Sequence, residues 1–270
     1  MVSLGPSSNI LGNAPPSNNN AKRLKALMEN YYEARKEGTK YGYEIRLVEE
    51  DNYEHYYILI KPLAGVYKGQ NYIMEMKTTY GRGDDITTYP NNAPYVHFIT
   101  DIFHVNISSN GGSICLDILK DKTKWSPLNS FDTIVQNILL LFNEPNNASP
   151  YNGAASKVWV ECEKRYKDVK VKDLTVQQAE ELYISAFEPF IRQAKDFAKK
   201  NNYKGFSKWF PELDPDSKDY VELVAKDEEN FKELEEMVLS MKKKKVEVSV
   251  AATAIIADTK KKNRWSKYQK

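Results

Sequence analysis

The sequence contains few cysteines and histidines, and this scarcity argues against two kinds of site. It has 2 cysteines and 3 histidines in 270 residues, and no Cys-x-x-Cys pair or His/Cys cluster occurs. Two cysteines are too few for the disulfide framework of a small secreted domain, so a reducing, cytoplasmic or nuclear location is expected. The same shortage argues against a zinc site, and we expect no metal and no organic cofactor.

The sequence also lacks a long apolar run and a strong net charge. No segment approaches the roughly 18 consecutive apolar residues of a membrane span, and the N-terminus lacks the basic-then-apolar order of a signal peptide. The 39 Lys and Arg residues nearly balance the 37 Asp and Glu residues. A balance of this kind argues against electrostatic binding of nucleic acid by the whole chain. We therefore expect neither a membrane nor a nucleic acid as partner.

Composition and periodicity divide the chain into four regions. Residues 1–20 are rich in Ser, Asn and Pro, which predicts a flexible tail. Residues 21–168 predict a folded α+β core, and residues 169–241 show apolar residues at helical spacing, which predicts a helical extension. Residues 242–270 hold ten Lys and Arg residues against two acids and predict a solvated basic tail.

The core region predicts a helix, four strands, a long loop and two further helices. Leu24 to Tyr31 show helical spacing, and Gly38 is the expected C-cap. Four segments rich in Tyr, Ile and Val are separated by short turns, which predicts an antiparallel meander. They are residues 43–50, 53–62, 70–80 and 95–100. A loop as long as 101–129 in a compact domain is typically functional. Helices follow near 130–144 and 152–167, and this segregated order is typical of the α+β class.

Cys115 lies in the long loop, in a setting unlike that of a structural cysteine. A Gly-Gly pair precedes it, and His104 and Asn106 lie upstream. A thiolate that forms an acyl intermediate needs such an exposed turn and an amide donor for the developing oxyanion. On these residues alone a cysteine–histidine hydrolase is also possible. Cys162 follows apolar residues in a predicted helix, and we assign it to packing or partial exposure.

Several motifs in a fixed order resemble those of the ubiquitin-conjugating enzymes. The His-Pro-Asn and Gly-x-Ile-Cys-Leu-Asp segments of that family are similar to residues 104–106 and 112–117. The other matching positions, in chain order, are Gly65, Tyr67 and Gly69, then Tyr89, Pro90 and Pro94, then Trp125, Ser126 and Pro127, then Glu144, Pro145 and Asn146. The resemblance covers roughly residues 21–168 and implies a UBC-like fold followed by a helical C-terminal extension.

The resemblance implies a thioester mechanism. Cys115 would accept the C-terminal carboxyl of ubiquitin, Asn106 would stabilise the oxyanion or hold the adjacent loop, and His104 would be structural. Further supporting positions are Asp117, Ser149 as a gate and Tyr151 as a wall of the cleft. Thiol–thioester exchange tolerates a thiol with an ordinary pKa of about 8.5, whereas an acceptor lysine, with a pKa of about 10.4, must first lose a proton.

The resemblance also implies partners, namely ubiquitin, its activating enzyme, a RING or HECT ligase and protein substrates. The basic residues of the first helix, which would meet the activating enzyme, are Lys22, Arg23 and Lys25. Positions facing a ligase are Asn91, Ser126 and Pro127. This chain departs from the family pattern at Val105, which replaces a proline, at Asn91, where Phe often favours RING pairing, and at Ser149, where an acid is common.

Two alternative functions are compatible with the same fold, and a third, a cysteine hydrolase, is not. The chain could conjugate another ubiquitin-like modifier, or it could be a non-catalytic ubiquitin-binding module. Retention of Cys115 with Asn106 argues against the binding module, which needs neither residue. A hydrolase would need a histidine base directed at the thiol, and His55 and His97 fall in predicted strands.

Overall fold

The computed structural model describes residues 18–168 and 174–266, so the predicted tail at residues 1–20 lies almost wholly outside the described residues. The helices are α1 (Asn18–Tyr41), α2 (Asp117–Lys120), α3 (Phe131–Asn143), α4 (Gly153–Lys167), α5 (Val176–Ala198) and α6 (Tyr220–Ser266). The strands are β1 (Tyr43–Leu47), β2 (His55–Ile60), β3 (Tyr72–Lys77), β4 (Thr79–Tyr80), β5 (Thr87–Thr88) and β6 (Tyr95–Phe98). In the part of the chain described, no helix combines the length and apolarity needed to cross a bilayer.

Helix α1 ends later than its glycine pattern predicts. The predicted C-cap at Gly38 is wrong, because the helix continues to Tyr41. A Cβ atom at Gly38 would lie 2.7 Å from the carbonyl oxygen of Tyr43, so this glycine lets α1 and β1 pack closely. Gly42, with a φ of 86°, makes the left-handed turn that ends the helix.

Strands β1, β2, β3 and β6 form one antiparallel sheet in the order β1-β2-β3-β6, which confirms the predicted meander. Alternate residues such as Tyr56, Ile58 and Ile60 point towards the core and are fully buried. The short β4–β5 ladder between β3 and β6 was not predicted. The inner face of the sheet packs on α1 and α3, and this part of the molecule has the predicted α+β architecture.

Helices α3 and α4 begin within one residue of the positions near 130 and 152 that the sequence predicts. The Ser130 hydroxyl accepts a hydrogen bond from the Thr133 N–H at 3.1 Å, and the Asn152 carboxamide accepts one from the Ala155 N–H at 3.1 Å. Cys162 on α4 is buried, and burial raises the pKa of its thiol. Of the two predicted settings for this cysteine, packing is therefore confirmed and partial exposure is wrong.

The extension contributes α5 to the same core. Phe187 and Phe190 of α5 lie with ring centroids 4.7 and 5.0 Å from that of Trp159 on α4. Phe190 also contacts Phe103, at the start of the long loop, at a centroid distance of 5.2 Å. The helix continues through Pro189, where a kink is expected.

The extension then crosses the outer face of the sheet. We call residues 203–213 the sheet cover, because Phe210 packs there on Leu59 and Ile73, and all three side chains are fully buried. The Trp209 indole N–H donates to the carbonyl oxygen of Val48 at 3.0 Å. Two short 3-10 turns, Tyr203–Phe206 and Pro211–Leu213, shape this segment.

Helix α6 runs antiparallel to α1. Asp227 binds Arg35 at 2.7 Å, and nearer the start of α1 the Lys25 ammonium donates to the Met241 carbonyl at 3.4 Å. The helix crosses residue 241, where we expected a separate basic tail to begin, and residues 267–270 of that tail lie outside the described residues.

Candidate active site

Two segments of the long loop pair to present Cys115. Ile107 and Ile114 form an antiparallel bridge, and the Cys115 N–H donates to the Asn106 carbonyl at 2.7 Å. The flanking isoleucines are buried, whereas Cys115 is only partly buried. The pairing thus anchors the backbone on apolar neighbours and leaves the thiol partly accessible.

Gly112 makes this pairing possible. The Phe98 N–H donates to the Gly112 carbonyl at 2.9 Å, which ties the turn to strand β6. Gly112 has a φ of 62°, and a Cβ atom there would lie 1.9 Å from the Phe98 carbonyl oxygen. No residue other than glycine can occupy this position without moving the turn.

The Asn106 side chain holds the segment that faces the thiol. Its carboxamide oxygen accepts from the Asn146 N–H at 2.8 Å. Its amide group donates to the Asn146 carbonyl at 2.8 Å and, more weakly, to the Ser149 carbonyl at 3.4 Å. The side chain is fully buried. Of the two roles expected for Asn106, this arrangement is that of a residue holding the loop.

His104 is an internal link between the loop and α3. Its Nδ1 accepts from the Asn106 N–H at 2.9 Å, and its Nε2 lies 2.9 Å from the Leu141 carbonyl, so the neutral ring donates there. Burial lowers the pKa of His104 from its ordinary 6.5 to about 4. A ring that is neutral, buried and bonded at both nitrogens has no free site with which to deprotonate the thiol.

Two side-chain contacts bring residues 115–120 together with residues 149–151, and we call the junction of these two segments the cleft. The Cys115 sulfur lies 3.8 Å from the exposed Ser149 hydroxyl, so the predicted gate residue is adjacent to the thiol. Tyr151 follows two residues later and is 42% exposed. The Lys120 ammonium lies 3.5 Å from the centroid of the Tyr151 ring. The sequence did not predict Lys120 as a site residue, because no local pattern brings it to a tyrosine 31 positions away.

The residues that follow the cleft form a second exposed edge. Asp117 is exposed and forms an ion pair with Lys124, which raises the pKa of that lysine. The Trp125 indole N–H donates to the Pro90 carbonyl at 2.8 Å, which brings the two predicted motifs into contact. The predicted ligase-facing residues lie near these contacts in the chain, and Asn91 and Pro127 are exposed while Ser126 is partly buried.

The three basic residues predicted to meet the activating enzyme differ in their surroundings. Lys22 is exposed. The Arg23 guanidinium donates to the Glu54 carboxylate at 2.6 Å and to the Tyr89 carbonyl at 2.7 Å. Lys25 contacts α6. Arg23 thus attaches the start of α1 to Glu54, the residue before β2, and to Tyr89, which follows β5.

The other two histidines lie on the outer face of the sheet. His55 Nε2 is 2.6 Å from the Glu75 carboxylate, and His97 Nε2 is 3.6 Å from it. Among the described residues, no histidine is hydrogen bonded to Cys115. The arrangement does not supply the base that a cysteine hydrolase requires.

The family model that matches this chain covers the region that contains Cys115. Residues 26–174 match the family model described as ubiquitin-conjugating enzyme. A 78-residue segment is 41% identical to ubiquitin-conjugating enzyme E2 2 of Kluyveromyces lactis, and covers 29% of this chain and 46% of that relative. A 79-residue segment is 42% identical to ubiquitin-conjugating enzyme E2-20 kDa of Schizosaccharomyces pombe, and covers 29% of this chain and 43% of that protein. The chain thus spans less than half the length of these curated relatives.

Solved structures with a similar arrangement include a putative ubiquitin conjugating enzyme from Plasmodium yoelii. It is 23% identical, with a TM-score of 0.47, and the match covers 66% of this chain and 94% of that one. The E2 domain of a Toxoplasma gondii ubiquitin conjugating enzyme is also 23% identical, with a TM-score of 0.45, and the match covers 64% and 94% of the two chains.

Proposed function

Because the chain belongs to the ubiquitin-conjugating enzyme family, we propose that it carries ubiquitin as a thioester on Cys115 and passes it to a substrate lysine or a ligase. The observation that supports this most is the placement of Cys115, which is partly exposed beside Ser149 on a loop held by Asn106 and Gly112.

Loading of Cys115 is a thiol–thioester exchange. The Cys115 sulfur attacks the carbonyl carbon of ubiquitin bound to the activating enzyme, a new C–S bond forms, and the thiol of the activating enzyme leaves. Exchange between two similar thioesters needs no strong base. The absence of a histidine bonded to Cys115 among the described residues is therefore consistent with this step.

Transfer requires a neutral acceptor amine beside the thioester. The residue that faces the sulfur is Ser149, whose hydroxyl carries no charge and is a weak base. We infer that the residues around the thiol contribute mainly by orienting the amine. Asn106 supports this orientation by holding residues 146–149 against the loop of Cys115.

The exposed residues define the partner surfaces that we propose. Lys22 at the start of α1 would contact the activating enzyme, with Lys25 beside it and Arg23 holding the helix in place. Asn91, Ser126 and Pro127 would contact the ligase. These assignments rest on the family resemblance and, for Lys22, Asn91 and Pro127, on the exposure of the side chain.

The proposed function is tested by loading the protein. The chain is incubated with activating enzyme, ATP and ubiquitin and run on a non-reducing gel. We expect an adduct that is cleaved by thiol, is lost in Cys115→Ala and persists in Cys162→Ala, because Cys162 is buried. Absence of the adduct in a folded protein supports a binding module, and repeating the assay with other modifiers tests the choice of ubiquitin.

Replacement of Asn106 by alanine separates loading from transfer. We expect Asn106→Ala to load Cys115 nearly as fast as the wild type and to transfer ubiquitin to lysine about 10–100-fold more slowly. The reason is that a shift on the order of 1 Å at a reacting centre costs about that much. Single-turnover discharge to free lysine measures the effect, and Asn110→Ala, in an exposed part of the same loop, is the control. Equal discharge rates in Asn106→Ala and the wild type would refute the role of Asn106.

A further inference from the structure

The end of α5 is bonded to the start of the long loop. The helix ends at Ala198, and the Asn201 N–H donates to the Ala198 carbonyl at 3.1 Å, which fixes Asn201 in the turn that follows. The Asn201 carboxamide bonds the backbone of Asp101 twice. Its oxygen accepts from the Asp101 N–H at 2.7 Å, and its amide group donates to the Asp101 carbonyl at 3.0 Å. One side chain of the extension thus binds both backbone groups of a residue 100 positions earlier.

Phe197, in the last turn of α5, adds an apolar contact to the same part of the loop. The centroid of its ring lies 5.2 Å from that of Phe103, which is buried. We call residues 98–103 the platform, because they run from the end of β6 to the residue before the active-site motif. The extension therefore holds the platform by two hydrogen bonds and one aromatic contact.

Both segments that meet at Cys115 are attached to the platform. The Phe98 N–H donates to the Gly112 carbonyl at 2.9 Å, and the chain continues from Gly112 to Cys115 in three residues. The other segment continues directly from Phe103 to Asn106, whose carbonyl accepts from the Cys115 N–H at 2.7 Å. A displacement of the platform would therefore be passed on to the thiol and to the carboxamide that holds the facing loop.

Direct packing between α5 and the Gly-Gly turn is incomplete. A cavity of about 60 Å³ is lined by Thr100 and Ile102 of the platform, by Gly111 and Gly112 of the turn, and by Phe197 of α5. Where this cavity lies, the helix and the turn border the same empty space and do not support each other. The mechanical connection from α5 to the thiol thus passes through the platform.

We propose that Asn201 is a positioning residue for the transfer step, which fixes the platform to α5 and so sets the placement of Cys115 and Asn106. This inference rests on the proposed function, because it concerns transfer from a thioester on Cys115. The Asn201 side chain bonds Asp101 and the Tyr203 hydroxyl, so it acts on the reaction through the platform. The extension thereby contributes to the reaction as well as to the fold.

Removal of the carboxamide should loosen the platform without unfolding the protein. Asp101 is exposed, so water can replace both hydrogen bonds, and the contact of Phe197 with Phe103 is retained. A looser platform spreads the thioester over more geometries, fewer of which permit attack by an amine. We expect Asn201→Ala to load Cys115 at about the wild-type rate and to discharge ubiquitin to lysine about three- to tenfold more slowly. That factor corresponds to the loss of about one neutral hydrogen bond.

Single-turnover discharge from the loaded full chain to free lysine measures the effect. The matched control is Asn202→Ala, the neighbouring asparagine, whose side chain accepts from the Gly205 N–H at 3.3 Å within the same turn region. This control should discharge at the wild-type rate. Unfolding of part of a sample lowers the amplitude of discharge and leaves its rate constant unchanged, so a lower rate constant does not result from instability alone.

Backbone amide resonances provide a second readout, on the protein without ubiquitin. If the platform moves in Asn201→Ala, the hydrogen bond between Phe98 and Gly112 changes its geometry. The amide resonances of Phe98, Gly112 and Cys115 should therefore shift in Asn201→Ala, whereas in Asn202→Ala they should keep their wild-type positions.

Three results would overturn the inference. They are a wild-type discharge rate constant in Asn201→Ala, an equal slowing in Asn202→Ala, and slow discharge in Asn201→Ala without any shift of the three resonances. In each of these cases the wild-type thioester still forms, and the proposed function stands. Failure of the wild-type protein to form any thioester would instead refute the proposed function itself.

Discussion

The imidazole of His104 takes its charge and its tautomer from burial. Both nitrogens are hydrogen bonded inside the protein, one to the Asn106 N–H and one to the Leu141 carbonyl, and no solvent reaches the ring. A charged imidazolium would lose its hydration there and one of its hydrogen bonds. His104 therefore links the long loop to α3 only while its ring is neutral.

This arrangement predicts a loss of stability in mild acid. The pKa of His104 is about 4 in the folded protein and 6.5 when unfolded, so the unfolded chain binds the proton first as the pH falls. The stability that the neutral His104 ring contributes is fully present above pH 6.5 and is lost progressively as the pH falls towards 4. Between pH 7 and pH 5 the free energy of unfolding should fall by about 2 kcal/mol from this residue.

Urea unfolding at several pH values measures the effect. In His104→Asn, which keeps an acceptor near the position of Nδ1 but does not titrate, we expect the loss between pH 7 and pH 5 to be smaller by about 2 kcal/mol. The comparison uses the slope with pH, so a lower overall stability of the variant does not affect it. Identical slopes in the two proteins would contradict the interpretation.

At the level of single residues, the sequence predicted the surroundings of Cys115 better than it predicted contacts between distant parts of the chain. The pairing of Cys115 with Ser149, and the structural role of His104, follow from motifs whose order is preserved. Arg23 was expected to face a partner and instead binds Glu54, which lies 31 positions away. A basic residue on a helix has the same local pattern in both cases, because only the tertiary fold brings the carboxylate to it.

Secondary structure elements were predicted closely where their ends are fixed by local hydrogen bonds. The starts of α3 and α4 lie close to the predicted positions, since the caps at Ser130 and Asn152 each involve residues three positions apart. The end of α1 was misplaced because two glycines, Gly38 and Gly42, are compatible with a C-cap. Packing of Gly38 against Tyr43 decides between them, and that contact is not visible in a helix pattern.

One carboxylate connects α6 to two other elements. Asp227 lies 2.7 Å from the Arg35 guanidinium on α1 and 2.8 Å from that of Arg46 on β1. The two arginine side chains are only 7% and 14% exposed. Among the described residues Asp227 is the one carboxylate paired with Arg35, whereas Arg46 also pairs with Glu44 at 3.1 Å, so loss of the Asp227 carboxylate would chiefly leave the buried Arg35 uncompensated.

Neutralising Asp227 should therefore weaken the attachment of α6. We expect Asp227→Asn to reduce the free energy of unfolding by about 1–3 kcal/mol, measured by urea titration. Glu228→Gln, the same change at the adjacent exposed position, is the control and should alter it by less than about 0.5 kcal/mol. A similar effect in both variants would show that the ion pairs do not stabilise the contact.

At the scale of the whole molecule, the extension is part of the folded unit. Helix α5 packs on α4, the sheet cover packs on the outer face of the sheet, and α6 packs on α1. The sequence predicted helices in the extension but not where they pack. An apolar stripe shows that one face of a helix is buried, but it does not identify the surface that covers it. Core and extension thus differ in sequence composition, but their side chains share the same buried clusters.

Shared burial predicts that core and extension unfold together. Trp159 reports on α4 and Trp209 on the sheet cover, and a Trp→Phe change at either one makes the tryptophan fluorescence signal more specific to the other. We expect the two urea transitions to coincide with each other and with far-UV circular dichroism. A separate transition at lower urea for Trp209 would show that the sheet cover detaches first.

The contrast between the two cysteines has a practical consequence. Cys115 is partly open to solvent, and Cys162 is sealed beneath α5. A maleimide dye should therefore label the native protein once, with no engineered mutation, and place the fluorophore directly at the cleft. A second equivalent should react only when the interior opens, so the count of labelled sulfurs is itself a gauge of global opening.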